Sequence, residues 1–284
     1  MTVIAKPFFT KVQVWREDYV GVIAVNNPPL NLVDADVLDQ LTAAVTLAES
    51  DQKVEVLALT ATGDTFFSAG MKWDDLGAPE ALQVKAQAFT SILMSTSKPV
   101  AALLNAPALG AGVEICLLAD FRLGTSTSYL GFPEVVYGYP PLFAGPYIAK
   151  ESFGSSVARK LFVLGDTLTP EDAHRLGVID ALFERQNFFG EAKKWLERLR
   201  SRGEKLVHIR AISYDPIKLR YTFEVEKSQL RSLSSGAGRG ADAAGLRSKR
   251  EEVAGLSPTL RSRLKAIRDA AKNSGETGEV DNGP

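Results

Sequence analysis

Two runs of apolar residues, 54–60 and 99–104, restrict the fold more than any other feature of the chain. Each has the length of one strand, and residues 54–60 show no alternation of apolar and polar side chains. Strands of this kind are buried on both faces, as in parallel sheets that helices cover. The sequence therefore predicts a sheet at the centre of the protein with helical segments packed against it.

Helical patterns separate these strands. Asp34 is a plausible N-cap for a helix that carries Val37, Leu41, Val45 and Ala48 on one stripe. Because strands and helices alternate, the chain is predicted to be an α/β protein. Further strands are expected at 11–15, 19–25, 120–124 and 178–183, and further helices at 81–94, 112–118, 155–164, 170–176, 191–202 and 208–233, with a new helix beginning at Pro216.

Composition excludes several classes of function. The chain has 284 residues, of which 45% are hydrophobic, and a net charge of -1. That charge predicts neither a nucleic-acid partner nor a membrane partner. A single cysteine, Cys116, excludes an intrachain disulfide and a multi-cysteine metal site. Without a signal peptide, a membrane span or a peroxisomal tripeptide in the sequence, the expected location is the cytoplasm.

Three segments carry the residues of chemical interest. They are residues 66–76 (FFSAGMKWDDL), residues 105–114 (NAPALGAGVE) and residues 130–134 (LGFPE). Small residues at positions 110, 111 and 112 permit a ligand to approach the backbone closely. The helix predicted to open there presents unpaired N–H groups, for which an oxyanion is the natural partner.

In this order and spacing, the three segments resemble the enoyl-CoA hydratase/isomerase (crotonase) family. The resemblance runs from about residue 8 to residue 183 and includes residues 27–31 (NPPLN) and 164–173 (LGDTLTPEDA); it continues more loosely at 245–250 (GLRSKR). It implies a crotonase-like spiral of ββα units over residues 1–200 and a helical C-terminal region over residues 201–272. Residues 273–284 have the composition of a disordered tail. The resemblance also implies a homotrimer or a dimer of trimers.

The resemblance also implies roles for individual residues. It places two oxyanion-hole N–H groups on Met71 and Ala111, and two catalytic carboxylates at Glu114 and Glu134. Substrate is expected to contact Ala69, Gly70, Trp73, Gly110, Tyr137, Tyr139 and Phe143. No cofactor and no metal is expected, because CoA arrives as part of the acyl-CoA substrate.

Both glutamates are present, which favours hydration of a 2-trans-enoyl-CoA to a 3-hydroxyacyl-CoA. Glu114 would orient and activate water, and Glu134 would give a proton to the α-carbon. The chain departs from the family pattern at Lys72, at Ala111, and most clearly at residues 135–146, where aromatic side chains replace a glycine-rich loop.

Two alternatives remain open at this stage. The aromatic loop favours double-bond isomerisation by Glu134, or carbon–carbon bond chemistry on a bulky or aromatic thioester. The second alternative is a protein of another class, a non-catalytic binding or assembly subunit. The structural alternatives for the two glutamates are an ion pair for Glu114 and the cap of a turn for Glu134. The basic segment 246–272 is either a solvated helix face or a contact to CoA phosphates or a neighbouring subunit, with Arg247, Lys249 and Arg250 as candidates.

Overall fold

The fold is described by a computed structural model, which covers residues 2–3, 9–72 and 79–234. Its strands are β1 Thr2–Val3, β2 Val12–Glu17, β3 Val20–Val25, β4 Val56–Ala61, β5 Val100–Leu104, β6 Ala108–Leu109, β7 Phe121–Thr125, β8 Leu130–Gly131, β9 Thr167–Leu168 and β10 Ala181–Phe183. Its α-helices are α1 Ala35–Ser50, α2 Pro79–Ser95, α3 Ala111–Leu117, α4 Gly145–Phe162, α5 Pro170–Arg175, α6 Phe188–Leu196, α7 Gly203–Ser213 and α8 Pro216–Ser234. Short 3-10 helices span Pro133–Tyr137, Arg185–Asn187 and Glu197–Leu199.

The described strands form a large sheet in the order β1-β2-β3-β4-β5-β7-β10 and a small one in the order β6-β8-β9. In the large sheet β1, β2 and β3 pair antiparallel, and the pairs from β3 to β10 are parallel. A two-residue turn joins β2 to β3, and Asp18 in that turn has a φ of 54°, which aspartate tolerates better than most residues. The α/β class predicted from the alternating pattern is confirmed.

The central strands lie where the apolar runs predicted them. Every residue of β4 and of β5 is buried. Helix α1 begins after Asp34, whose side chain accepts a hydrogen bond from the Val37 N–H at 2.9 Å. The predicted N-cap is therefore confirmed, and the stripe from Val37 to Ala48 is buried against the sheet.

Both faces of the large sheet are covered. Helices α1 to α4 pack on one face around Leu57, Leu59 and Phe89. On the other face, helix α6 packs through Phe188 and Leu196. This arrangement explains the uninterrupted apolar runs, since a strand between two helical layers has no face in water.

Helix α4 differs from its prediction. A helix was expected from residue 155, but the chain becomes helical at Gly145 and kinks at Gly154, where φ is 84°. Pro146 stands in the first turn, where proline is well tolerated. The predicted helix 155–164 therefore corresponds to the part of α4 after the kink, and the part from Gly145 to the kink was not predicted.

The C-terminal helices lie where helix was predicted, and α8 begins at Pro216 as expected. Phe223 and Leu230 of α8 are buried, and the Gln83 Nε2 of α2 donates to the Phe223 carbonyl at 2.8 Å. Residues 235–284, which include the basic segment 246–272 and the predicted tail, lie outside the described residues. Within the described ranges, no helix is long and apolar enough to cross a membrane.

Candidate active site

Two segments that are distant in sequence meet at the carboxyl ends of β4 and β5. The Leu109 N–H donates to the Ser68 carbonyl at 2.8 Å, and Ser68 forms an isolated parallel bridge with Ala108. Helix α3 starts directly beyond this contact. A Cβ added at Gly112 would lie 2.8 Å from the Ser68 carbonyl oxygen, so glycine is required for this close approach.

Two backbone N–H groups at this junction have no acceptor among the described residues. Val33 donates to the Gly70 carbonyl at 2.9 Å and accepts from the Lys72 N–H at 2.8 Å. In an extended segment successive N–H groups point to opposite sides, so the Met71 N–H faces away from Val33. Ala111 is the first residue of α3, where the N–H has no intrahelical partner.

The glycines that precede these two residues have conformations that other residues avoid. Gly70 has a φ of 108° and Gly110 a φ of 52°. A Cβ at Gly70 would lie 2.7 Å from Glu134 Oε1, and a Cβ at Gly110 would lie 1.4 Å from the same oxygen. The Glu134 carboxyl group therefore packs directly over both glycines, next to the free N–H groups.

Glu134 is held in the 3-10 helix Pro133–Tyr137 and is 5% exposed. Its Oε2 has no hydrogen-bond partner in the described structure. Burial raises the pKa of this carboxyl to about 8; a hydrogen bond from its own backbone N–H opposes that rise, and the negative charge of Glu114 adds to it.

Glu114 lies in the first turn of α3 and is also buried. Its carboxylate accepts backbone N–H groups from Leu142 at 3.2 Å, from Phe143 at 3.1 Å and from Gly145 at 3.1 Å. Burial raises its pKa, and these three hydrogen bonds oppose the rise. No ion pair to Glu114 is found in the described part of the chain, and its partners there are amides at the start of α4.

A third buried carboxyl, which the sequence analysis missed, comes from α8. Glu226 is 2% exposed, its Oε1 accepts the Ala144 N–H at 3.0 Å, and its Oε2 has no partner among described groups. Burial, then the charge of Glu114, raises its pKa well above the usual value. The signal for it was a glutamate three residues after Phe223 and four before Leu230, on the buried stripe of a helix.

The chain is similar to known proteins over most of its length. The family model of enoyl-CoA hydratase/isomerase matches residues 16–217. The chain belongs to this family. Over 200 residues it is 31% identical to crotonyl-CoA hydratase of Syntrophomonas wolfei, an alignment covering 68% of this chain and 77% of the relative.

Other relatives are longer or less similar. The chain is 27% identical over 199 residues to a glyoxysomal fatty acid β-oxidation multifunctional protein of Cucumis sativus, covering 67% of this chain and 27% of that protein. An enoyl-CoA hydratase structure from Mycobacterium avium subsp. paratuberculosis superposes with a TM-score of 0.73 at 22% identity, covering 80% of this chain and 96% of the other. This similarity shows that the fold is crotonase-like.

The residues expected to form the site of this family member mostly meet at one place. One small cavity is lined by Met71, Ala111, Glu114, Phe132, Glu134, Pro140 and Leu142. Ala69, Gly70 and Gly110 are the chain neighbours of the two free N–H groups. Within the described residues, no cluster of side chains suited to a metal ion is found.

The aromatic residues of the loop 135–146 do not line this cavity among the described side chains. The Phe143 ring is fully buried and packs edge-to-face on Phe89, with ring centres 6.3 Å apart. The expectation that this ring contacts substrate is therefore corrected, because the ring belongs to the core. Phe143 contributes to the site through its backbone N–H, which donates to Glu114. Tyr139 is half-buried, and its N–H donates to the Glu134 carbonyl at 3.1 Å. Trp73 and the Tyr137 side chain lie outside the described residues.

Cys116 is the remaining reactive side chain near the site. It follows Glu114 by two positions on α3 and is fully buried in the main core. Burial raises the pKa of its thiol, which removes the thiolate that a nucleophile needs. Its position indicates that it packs as a small apolar residue.

Proposed function

We propose that this protein hydrates a short 2-trans-enoyl-CoA, such as crotonyl-CoA, to the 3-hydroxyacyl-CoA. The observation that carries the proposal is the shared cavity: Glu114 and Glu134 line it together with Met71 and Ala111. Two carboxyl groups and two free N–H groups are what addition of water to a conjugated thioester requires. Relatives named for this reaction support the same conclusion.

The N–H groups of Met71 and Ala111 form the oxyanion hole in this proposal. When water attacks the β-carbon, negative charge develops on the thioester oxygen. Donors fixed before the reaction stabilise that charge without reorganisation, and one donor typically contributes about 10²–10³ in rate. Gly70 and Gly110, with their positive φ angles, set the direction of these donors.

The two glutamates divide the proton transfers. Glu114 is held as a hydrogen-bond acceptor by three amides, so its free lone pairs orient water and accept one proton as the hydroxyl bonds to the β-carbon. Glu134, with a pKa near 8, is mostly protonated at neutral pH and gives its proton to the α-carbon. One water is added in total, and transfer of a proton from Glu114 to Glu134 resets the site.

The names of two relatives, crotonyl-CoA hydratase and short-chain-enoyl-CoA hydratase, favour a short acyl group. Phe132, Pro140 and Leu142 line the cavity beside the glutamates and give it an apolar wall. We expect kcat/KM to fall as the 2-enoyl chain lengthens beyond crotonyl.

A mass-resolved assay with crotonyl-CoA and a longer 2-trans-enoyl-CoA tests the proposal. The native protein should add the mass of water, and Glu114→Gln and Glu134→Gln should each lower kcat by at least about 10²-fold. Glu151→Gln, at an exposed position of α4, is the matched control and should keep full activity. Binding of both thioesters without any gain of water by the native protein would contradict the proposal.

Isomerisation is a second candidate, because three backbone amides hold Glu114 as they would hold a purely structural carboxylate. Glu134 alone would then move a proton between two carbons of the acyl chain. The assay separates the candidates: isomerisation leaves the mass unchanged and survives Glu114→Gln. Bulky aromatic thioesters in the same assay test carbon–carbon bond chemistry.

We further propose a homotrimer or dimer of trimers in the cytoplasm, with no cofactor beyond the CoA of the substrate. Apolar side chains on α7 and α8 support an assembly, because Ile212, Ile217 and Tyr221 are each more than two-thirds exposed. Analytical ultracentrifugation gives the number of subunits. A monomer at assay concentration would contradict this part of the proposal.

A further inference from the structure

Four successive backbone N–H groups, at residues 142–145, bind two carboxyl groups from two different helices. Three of them donate to Glu114 of α3. The fourth, from Ala144, donates instead to Glu226 of α8 at 3.0 Å. We name residues 142–145 the amide strap. The strap therefore lies between α3, which carries a glutamate of the site, and α8, which carries none of the residues assigned above.

The backbone of the strap is strained at Ala144. This residue has a φ of 57° and a ψ of 27°, the left-handed conformation that residues other than glycine rarely adopt. An unfavourable conformation of this kind persists when the surroundings hold it in place. The hydrogen bond from Ala144 to Glu226 is one such restraint.

Glu226 itself is unusual for its place in the fold. It lies on the buried stripe of α8 between Phe223 and Leu230, where an apolar side chain would pack without loss. No cation pairs with it within the described ranges, and its Oε2 is buried without a partner. A buried carboxyl under these conditions destabilises the fold, so its hydrogen bond calls for a role other than stability.

We propose that Glu226 is a positioning residue for Glu114, acting through the Ala144 N–H and the amide strap. Glu226 fixes the middle of the strap from outside the site. The N–H groups on either side are thereby held at the distances at which they orient the Glu114 carboxylate. Helix α8 is in this way part of the catalytic apparatus. The effect on turnover rests on the proposed hydration, whereas the effect on the strap does not.

Two substitutions at Glu226 separate its possible roles. Glu226→Gln keeps an oxygen that accepts the Ala144 N–H and should leave kcat within about threefold of the native value. Glu226→Leu fills the same space without an acceptor and should lower kcat about 10- to 100-fold with little change in KM, since small displacements of catalytic groups have effects of this size. Glu226→Ala provides the same comparison should the leucine variant not fold.

The control for general destabilisation is Leu230→Ala, one turn further along the buried face of α8. It should lower Tm at least as much as Glu226→Leu while kcat stays near the native value. A double-mutant cycle gives the second criterion. In the Glu114→Gln background, Glu226→Leu should cause little further loss, because its effect passes through Glu114.

Hydrogen exchange at the strap amides tests the proposal without any turnover. Protection of the Phe143 and Gly145 amides should be lost in Glu226→Leu and kept in Glu226→Gln and Leu230→Ala. Equal losses of kcat in the native and Glu114→Gln backgrounds, an equal loss in Leu230→Ala, or unchanged protection in Glu226→Leu would each overturn the proposal. A protein that lacks hydratase activity but shows the expected exchange pattern would contradict the proposed function alone.

Discussion

Replacing Glu134 by glutamine should change how the stability of the protein depends on pH. The carboxyl is buried, its Oε2 has no partner among described groups, and burial raises its pKa from the usual 4.5 to about 8. A carboxyl that resists ionisation in the folded state binds its proton more tightly there than in the unfolded chain. It therefore stabilises the fold fully below about pH 4.5, and this stabilisation is lost as the pH rises through about 8.

The size of the effect follows from the two pKa values. A change of one in pKa corresponds to about 1.4 kcal/mol, so the rise from 4.5 to about 8 corresponds to at most about 5 kcal/mol. Glutamine has nearly the same shape and does not ionise. Between about pH 5 and pH 9 the native protein should therefore lose up to about 5 kcal/mol more unfolding free energy than Glu134→Gln.

Urea denaturation at a series of pH values measures this difference. Glu114 and Glu226 are present in both proteins, so comparing the two isolates the contribution of Glu134. Glu151→Gln, on the exposed face of α4, should follow the native curve. If the native protein and Glu134→Gln lose stability in parallel, or if the native protein gains stability relative to the variant as the pH rises, the reasoning from burial is refuted.

Two further substitutions test the packing of the site and of the C-terminal helices. Gly110→Ala should abolish hydration in steady-state kinetics, because the added Cβ would lie 1.4 Å from Glu134 Oε1. The control is Gly63→Ala, which is also at positive φ but has no atom within 4 Å of the added Cβ, and which should keep full activity. Arg210→Leu should lower the unfolding free energy in urea by about 2 kcal/mol, since it leaves the partly buried Asp120 carboxylate without the guanidinium Nε at 2.8 Å. An active Gly110→Ala, or an Arg210→Leu variant as stable as the native protein, would contradict these expectations.

Elements specified by neighbouring residues were predictable from the sequence. Helix α1 shows this, because its N-cap Asp34 and its apolar stripe are all within one short stretch. The site glycines were also recognisable, since small residues followed a buried strand. The physical reason for these glycines could not be predicted, because the Glu134 carboxyl that packs over Gly70 and Gly110 comes from a distant segment.

The sequence did not predict the path of the chain between Glu134 and α4. A helix was predicted from residue 155, whereas a helical segment begins already at Gly145 and kinks at Gly154. Phe143 was expected in the substrate pocket because the family resemblance places this loop there, yet its ring packs on Phe89 of α2. Which way a loop side chain turns depends on the helices that surround it, and no local pattern contains that information.

The hydrogen bonds around the three buried carboxyls indicate how protons are distributed before substrate binds. Glu114 accepts three backbone N–H groups, and such bonds stabilise a charged carboxylate. Glu134 and Glu226 each retain an Oε2 without a partner in the described structure. A negative charge on such an oxygen is costly, whereas the protonated, neutral carboxyl is tolerated. We therefore expect Glu114, with a pKa of about 7, to ionise at a lower pH than Glu134, with a pKa of about 8. Between these two pH values the site has its base mostly ionised and its acid mostly protonated, as hydration requires.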